Sequence, residues 1–201
     1  MNSRVLSSQT GVEASVSTPY NGFVFSPSDD DFHQWRGKLP HVEVAGYAYL
    51  LTASLADGVT PLNPAERTIV LRAILHWHKR GWQHFAAVVM PTHLHLVTAA
   101  EQETSQSMSI AELMKRIKGS SARQVNKMRG SQGRLWLREY HDVVLRDEKA
   151  LRSAVQYVLN NPVKPGLSEK PEDYPWLWTY WSGAKALLLL RDGCNEQEWG
   201  L

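Results

Sequence analysis

Hydrophobic positions recur along this chain with two periods, one typical of strands and one of helices. Residues 46–53 and 140–146 have strand composition, and the apolar run 85–97 is interrupted at Pro91-Thr92 before it resumes with a period of two. Apolar residues recur at helical spacing in residues 63–80, 109–118 and 147–161. The predicted order of elements is therefore β-α-β-β-α-β-α.

Capping residues set the predicted helix ends. The first helix is predicted to begin at Asn63-Pro64-Ala-Glu66, which supplies an N-cap and a proline at the first helical position. It is predicted to end at Lys79-Arg80-Gly81, which supplies a basic last turn and a glycine stop. Ser109 and Glu112 resemble a capping box. Asp147 is the expected N-cap of the last helix, and Pro162 disfavours helical backbone at Asn161.

This order of elements is the split βαβ, or ferredoxin-like, pattern with one added helix. We expect an α+β sandwich with an antiparallel sheet and a C-terminal helix that carries the chemistry. Residues 1–35 are expected to form a disordered or loosely attached arm, residues 36–182 the catalytic domain, and residues 183–201 a tail.

Composition indicates a soluble protein of a reducing compartment. The 201 residues contain a single cysteine, Cys194, which excludes an intramolecular disulfide framework and fits a cytoplasmic setting. The first thirty residues show no targeting segment, and the apolar stretch 186–190 is too short to span a bilayer.

The segment His93-Leu94-His95 is the strongest chemical signal. Strand alternation puts both imidazoles on one face, where they can share a divalent cation, and turns Leu94 and Leu96 to the opposite, packed face. An isolated His-x-His is more often two polar residues on a solvent face. The same spacing in His76 and His78 falls in predicted helix, where residues two apart do not face each other.

Tyr157 and Asn161 lie four residues apart on the last predicted helix, at the border of its apolar stripe. Taken singly, a tyrosine at such a position is more often an ordinary residue at the edge of the core, and an asparagine before proline is more often a helix stop. With the histidines, they suggest a nucleophile beside a metal site, in which His93, His95 and Asn161 bind Mg²⁺ or Mn²⁺ and Tyr157 attacks phosphorus.

Positive charge is concentrated in one stretch, although the net charge is only +2. Between residues 113 and 138 there is no acidic residue, so we expect this stretch to bind a phosphate backbone, the alternative being a solvated basic face. Gly-Ser-Ser at 119–121 would allow local bends. The eight basic residues are Lys115, Arg116, Lys118, Arg123, Lys127, Arg129, Arg134 and Arg138.

Three groups of residues, in family order, resemble the REP-associated tyrosine transposases, within the HUH single-strand endonucleases and the IS200-like transposases. They are residues 89–97 around the histidines, residues 135–142 with Leu-Trp and Glu-Tyr-His-Asp, and residues 157–176 from Tyr157 through Asn-Asn-Pro-Val to Tyr-Pro-Trp. The resemblance spans about residues 36 to 182. Thr92, Pro165 and Leu177-Trp178 depart from the family's usual residues without removing a proposed catalytic group.

The resemblance implies a ferredoxin-like core, a divalent metal on the two histidines with Asn161 as a third ligand, and Tyr157 as nucleophile. It implies single-stranded DNA with a hairpin as the partner, a 5′-phosphotyrosine intermediate, and a monomer or homodimer. Two alternatives stay open: a non-catalytic nucleic-acid-binding module, and a phosphoesterase whose metal activates water. The aromatic cluster 174–181 is expected to dock onto the core rather than to stack bases.

Overall fold

The computed structural model describes residues 47–101 and 108–180, together with the backbone of two short strands, β1 (His33–Trp35) and β2 (His41–Glu43), that pair antiparallel. Cys194, the apolar stretch 186–190 and the predicted tail lie outside these residues, as does the predicted arm apart from β1. None of the described helices is both long and apolar enough to cross a bilayer.

The described core is a five-stranded antiparallel sheet with the order β6-β3-β5-β4-β7. Its strands are β3 (Ala48–Ser54), β4 (Trp82–Val89), β5 (His93–Ala100), β6 (His141–Leu145) and β7 (Leu177–Thr179). Without β7, the order is that of two βαβ halves whose strands interleave, so the predicted ferredoxin-like α+β fold is confirmed.

Two helices cover one face of the sheet and a third covers the other. Helices α1 (Pro64–Leu75) and α2 (Ile110–Arg129) pack on each other and on the side chains of alternate strand positions such as Leu51, Leu94 and Leu96. Helix α3 (Glu148–Asn160) packs on the opposite face through Leu151, Ala154, Val155 and Val158. The domain is a three-layered α/β/α sandwich.

The first helix is shorter than predicted. It ends at Leu75 with His76 as its C-cap, so Lys79-Arg80-Gly81 is not its last turn. The chain turns instead through residues with positive φ, Lys79 at 59° and Gly81 at 87°, and Lys79 N donates to Trp82 O at 2.9 Å. This turn delivers the chain directly into β4. The pair His76 and His78 therefore lies in this turn rather than in a helix.

The second helix is longer than predicted, because it continues through Gly-Ser-Ser at 119–121 as far as Arg129. The hydroxyls of Ser120 and Ser121 donate to the carbonyls of Arg116 and Ile117 one turn earlier, so their polar atoms are satisfied inside the helix. Ser121 also accepts a hydrogen bond from Trp136 Nε1 at 3.0 Å. The two serines are buried and therefore serve packing.

The third helix begins and ends where predicted, with Asp147 as N-cap and Asn161 as C-cap. The prediction for the Asn161 backbone was wrong, because its φ and ψ of −60° and −42° are helical. A tight turn follows and is closed by Lys164 N donating to Asn160 O and Leu167 N donating to Pro162 O. The helical backbone at Asn161 keeps its side chain on the same helix face as Tyr157.

The C-terminal aromatic residues dock onto the core, as predicted for the part of the cluster that the structure describes. Tyr174 and Trp178 are buried, and Tyr174 Oη donates to Val89 O at 2.9 Å. The Arg67 guanidinium stacks 3.6 Å above the Trp176 ring. Strand β7 then completes the sheet beside β4.

Candidate active site

The first part of the site is one face of the central strand β5. Leu94 and Leu96 are fully buried against α1 and α2, so alternation turns His93, His95 and Val97 toward α3. The ring centroids of His93 and His95 are 4.9 Å apart. The predicted pairing of the two imidazoles on one face is therefore what the strand provides.

Threonine hydroxyls hold both imidazoles through the same ring nitrogen. Thr52, the register partner of His95 on β3, has its Oγ1 2.7 Å from His95 Nδ1. Thr92 has its Oγ1 3.1 Å from His93 Nδ1. A neutral imidazole that donates its Nδ1 hydrogen to such an oxygen presents a lone pair at Nε2. Both Nε2 atoms face the side chains of α3.

The second part of the site comes from the end of α3. Tyr157 Oη lies 3.4 Å from His95 Nε2, and Asn161 Oδ1 lies 3.5 Å from His93 Nε2. Tyr157 is 40% exposed and Asn161 is 9% exposed, so the phenol reaches solvent while the amide is enclosed. The structure thus brings together the four residues that the sequence singled out as nucleophile and metal ligands.

Burial keeps both imidazoles neutral. It is the main cause that lowers the pKa of His95 to about 4, with a smaller contribution from neighbouring His93. Burial also lowers the pKa of His93, against a hydrogen bond to Asn161 that raises it. Neutral imidazoles are the form that binds metal ions, so the electrostatics of the site favour a cation ligand over a second bound proton.

The donor set fits a divalent metal ion with open coordination positions. Within residues 47–101 and 108–180, no group of three or more His, Cys, Asp or Glu side chains is placed to hold a metal. The candidate set consists instead of two imidazole nitrogens and the Asn161 amide oxygen. Three neutral donors leave positions for water or phosphate oxygens, and they leave the ion's charge uncompensated.

The eight basic residues of the predicted DNA-binding stretch fall into different environments. Lys115 and Arg116 are exposed and pair with Glu112. Lys118 Nζ donates to Arg138 O at 2.7 Å. Four others are exposed: Arg123, Lys127, Arg134 and Arg138.

Arg129 differs from the other basic residues, because its guanidinium binds the buried carboxylate of Glu66 at 2.6 and 2.7 Å. Its Nη2 also donates to the carbonyl of Thr60 at 3.0 Å. Glu66 in turn completes the capping box of α1 with Asn63. Arg129 thus joins α2 to α1, which gives it a structural role, and its predicted contact with DNA stays a prediction.

Sequence reasoning missed three residues at the site. Thr52 and Thr92 orient the histidines, and the signal for Thr52 was only its position on the neighbouring strand. Lys164 lies in the turn after α3 and holds its Nζ 5.0 Å from the centroid of the Tyr157 ring. Its position depends on the turn that follows Asn161, which residue spacing does not reveal.

Comparisons with known proteins agree with the resemblance seen in the sequence. Residues 69–161 match the family model described as transposase, IS200-like. A putative REP-associated tyrosine transposase of Haemophilus influenzae is 29% identical over 110 residues. That alignment covers 49% of this chain and 62% of the relative, so the chain spans less than two thirds of that relative's length. The resemblance is confirmed.

Among solved structures, the chain is similar to a REP-associated tyrosine transposase bound to a REP hairpin. The TM-score is 0.57 at 22% identity, and the match covers 72% of this chain and 83% of that one. At this identity the likeness supports the fold alone, and it agrees with the interleaved βαβ order of the sheet.

Proposed function

We propose that this chain, whose residues 69–161 match the IS200-like transposases, is a metal-dependent single-stranded DNA endonuclease and strand transferase. Its substrate would be DNA with a hairpin, and its intermediate a 5′-phosphotyrosine on Tyr157. The observation that carries the proposal is the convergence of Tyr157 Oη on His95 Nε2 at 3.4 Å, beside the contact of Asn161 with His93. A nucleophile next to an open donor set is the arrangement that transesterification at phosphorus needs.

In the proposed reaction, the Tyr157 hydroxyl loses its proton to solvent and its oxygen forms a bond to phosphorus. The bond between phosphorus and the 3′ oxygen breaks, and that oxygen takes up a proton and leaves as a free 3′-hydroxyl. Because the phosphotyrosine keeps the diester's bond energy, a 3′-hydroxyl of the same or another strand can reverse the step. The exposure of Tyr157 leaves room for a strand to approach.

His93, His95 and Asn161 are the residues that would hold the metal ion, which would polarise the phosphate oxygens when bound. Two nitrogen donors suit Mn²⁺ better than Mg²⁺ on grounds of ligand softness. Lys164 would add a positive charge beside Tyr157, where charge develops on the phosphate. The exposed basic residues of α2 and residues 134–138 would bind the flanking phosphates.

The proposal is tested by incubating the protein with a pool of end-labelled hairpin oligonucleotides and Mn²⁺ or Mg²⁺, followed by a denaturing gel. A covalent protein–DNA adduct that requires the metal supports the proposal. Cleavage that yields a free 5′-phosphate without an adduct favours a phosphoesterase with activated water. DNA that is retarded on a parallel native gel, but stays uncut and free of adduct on the denaturing gel with every hairpin and both metals, favours a binding module.

Thr52→Val is expected to raise the Mn²⁺ concentration for half-maximal adduct formation by roughly 10- to 100-fold, as for other losses of a partner that orients a metal-binding histidine. Valine keeps the shape of threonine but gives His95 Nδ1 no acceptor. A Mn²⁺ titration of wild type and variant measures the effect. Thr60→Val, on an exposed loop, is the control. Equal titrations for Thr52→Val and wild type would contradict this role.

Replacing Lys115 and Arg116 together by alanine is expected to weaken DNA binding across sequences. It should also flatten the salt dependence of log K by ~0.7 for each lost phosphate contact on a single strand. Their pairing with Glu112 is exposed and therefore weak enough to yield to phosphate. Binding at several salt concentrations measures the slope, with Glu112→Gln as a control that should not flatten it. An unchanged slope would exclude this face from the interface.

A further inference from the structure

A groove runs between α2 and the segment that leads into β6, away from the four residues of the candidate site. Its cavity volume is about 310 Å³. The apolar part includes Met114, Ala122 and Trp136, and Trp136 is fixed by its hydrogen bond to Ser121. Gly119 lies on its helical wall, and a Cβ added there would meet nothing closer than Arg123 Nη1 at 3.8 Å. This surface is concave, apolar and preformed.

The rim of the groove is positively charged. Lys115, Lys118, Arg134 and Arg138 line it, and none of the described lining residues is acidic. Lys118 is anchored by its bond to Arg138 O, which fixes its ammonium at the groove. An apolar groove with a positively charged rim is complementary to a ligand that has a flat apolar part and an attached anion.

The wall of the groove is joined to the histidine strand through paired backbone. Leu137 N donates to Ser54 O and Ala56 N donates to Leu135 O, so the groove wall pairs with the end of β3. On the other side of β3, Ser54 is the register partner of His93 on β5. The wall is thus two strand spacings from the histidine strand, or about 10 Å. The groove opens on the α2 face of the sheet and the candidate site on its α3 face, so a DNA strand would reach both by passing around the edge strand β6.

We propose that this groove binds one unpaired nucleotide of the DNA strand, with the base in the apolar part and its phosphate on the basic rim. The inference rests on the proposed function, because it assumes a single-stranded substrate. It adds a base-binding site that is separate from the four residues of the candidate active site.

The test compares two hairpin probes that carry the same charge. Each probe is a fluorescein-labelled stem-loop with an unpaired tail of six nucleotides. The tail carries mixed bases in one probe and abasic nucleotides in the other. The pair is made once with the tail on the 5′ side and once with it on the 3′ side. Binding is measured by anisotropy in a Tyr157→Phe background, which prevents cleavage. We expect the tail with bases to bind about tenfold tighter than the abasic tail, a typical gain for stacking one base.

Gly119→Leu is expected to fill the groove and bring the affinity ratio of the two probes close to one. Gly119→Ala is expected to leave that ratio unchanged. Both substitutions favour the helix, so a loss of binding cannot be assigned to unfolding, and thermal melts check this. Arg134→Ala with Arg138→Ala should weaken both probes equally. The inference is overturned if the parent shows no preference for bases, or if Gly119→Leu retains the ratio of Gly119→Ala.

The two proposals fail separately. Adduct formation by the Tyr157 protein, together with a base preference that Gly119→Leu does not change, would refute the groove and leave the proposed chemistry intact. A base preference that Gly119→Leu abolishes, in a protein that forms no adduct, would support the groove and refute the tyrosine chemistry.

Discussion

Tyr157→Phe is expected to lower adduct formation and strand cleavage by on the order of 10⁴-fold or more, because it removes the only oxygen that the proposed reaction joins to phosphorus. DNA affinity should change little, since the phenyl ring and the basic residues remain. Single-turnover cleavage of a labelled hairpin, with binding measured in parallel, separates the two effects.

Tyr180→Phe is the matched control, because Tyr180 has a similar exposure of 37% but lies beside β7, near His78. It should cleave like wild type. His93→Ala should lose cleavage as well, and added Mn²⁺ should restore part of it if the histidine acts by binding the metal. Cleavage that persists in Tyr157→Phe and fails in Tyr180→Phe would reassign the nucleophile.

Glu66→Ala is expected to be the most destabilising substitution among the charged residues discussed above, by about 3 kcal/mol at neutral pH. This is the low end of the range for breaking a buried ion pair, because the Arg129 side chain keeps 20% exposure against 3% for Glu66. The change also removes half of the α1 capping box. Urea unfolding measures it, and Glu112→Ala, in an exposed pair, should shift the midpoint little.

The same pair makes stability depend on pH in a predictable direction. The hydrogen bond from Arg129 is the main cause that holds the pKa of Glu66 below its ordinary value of 4.5. As the pH falls through 4.5, the unfolded chain takes up this proton before the folded one. The stabilisation is complete above that pH and is lost as the pH falls through the folded pKa. The difference in the free energy of unfolding between wild type and Glu66→Gln should shrink as the pH falls through this window.

Much of the fold could be predicted because its signals are local. The period of two around His93 and His95, the caps at Asn63, Ser109 and Asp147, and the order of elements all follow from short-range chemistry. That order leaves few ways to arrange four strands, so the interleaved sheet followed from it. The four candidate site residues could be paired in advance because each lies on an element with a clear period.

The misses share a different cause, since each depends on a tertiary contact. Glycine and serines at 119–121 were expected to allow local bends, but the helix continues through them and Ser121 accepts a hydrogen bond from Trp136 in another segment. The ion pair of Arg129 was not predicted, because its partner Glu66 lies 63 residues away. Pro162 was expected to disfavour helical backbone at Asn161, yet that backbone is helical and the Asn161 side chain contacts His93 from another element. Short-range preferences are overridden where packing supplies a partner.

The two halves of the candidate site are built on different mechanical supports. His93 and His95 belong to the central strand, whose neighbours on both sides fix its backbone through ladder hydrogen bonds. Tyr157 and Asn161 share one helix that rests on the sheet through apolar side chains such as Leu151 and Val158. A helix seated on side chains tilts when their volume changes, and it carries the phenol and the amide with it. Divergence in the core beneath α3 would therefore change the distances from Tyr157 and Asn161 to the two histidines without altering any of those four residues.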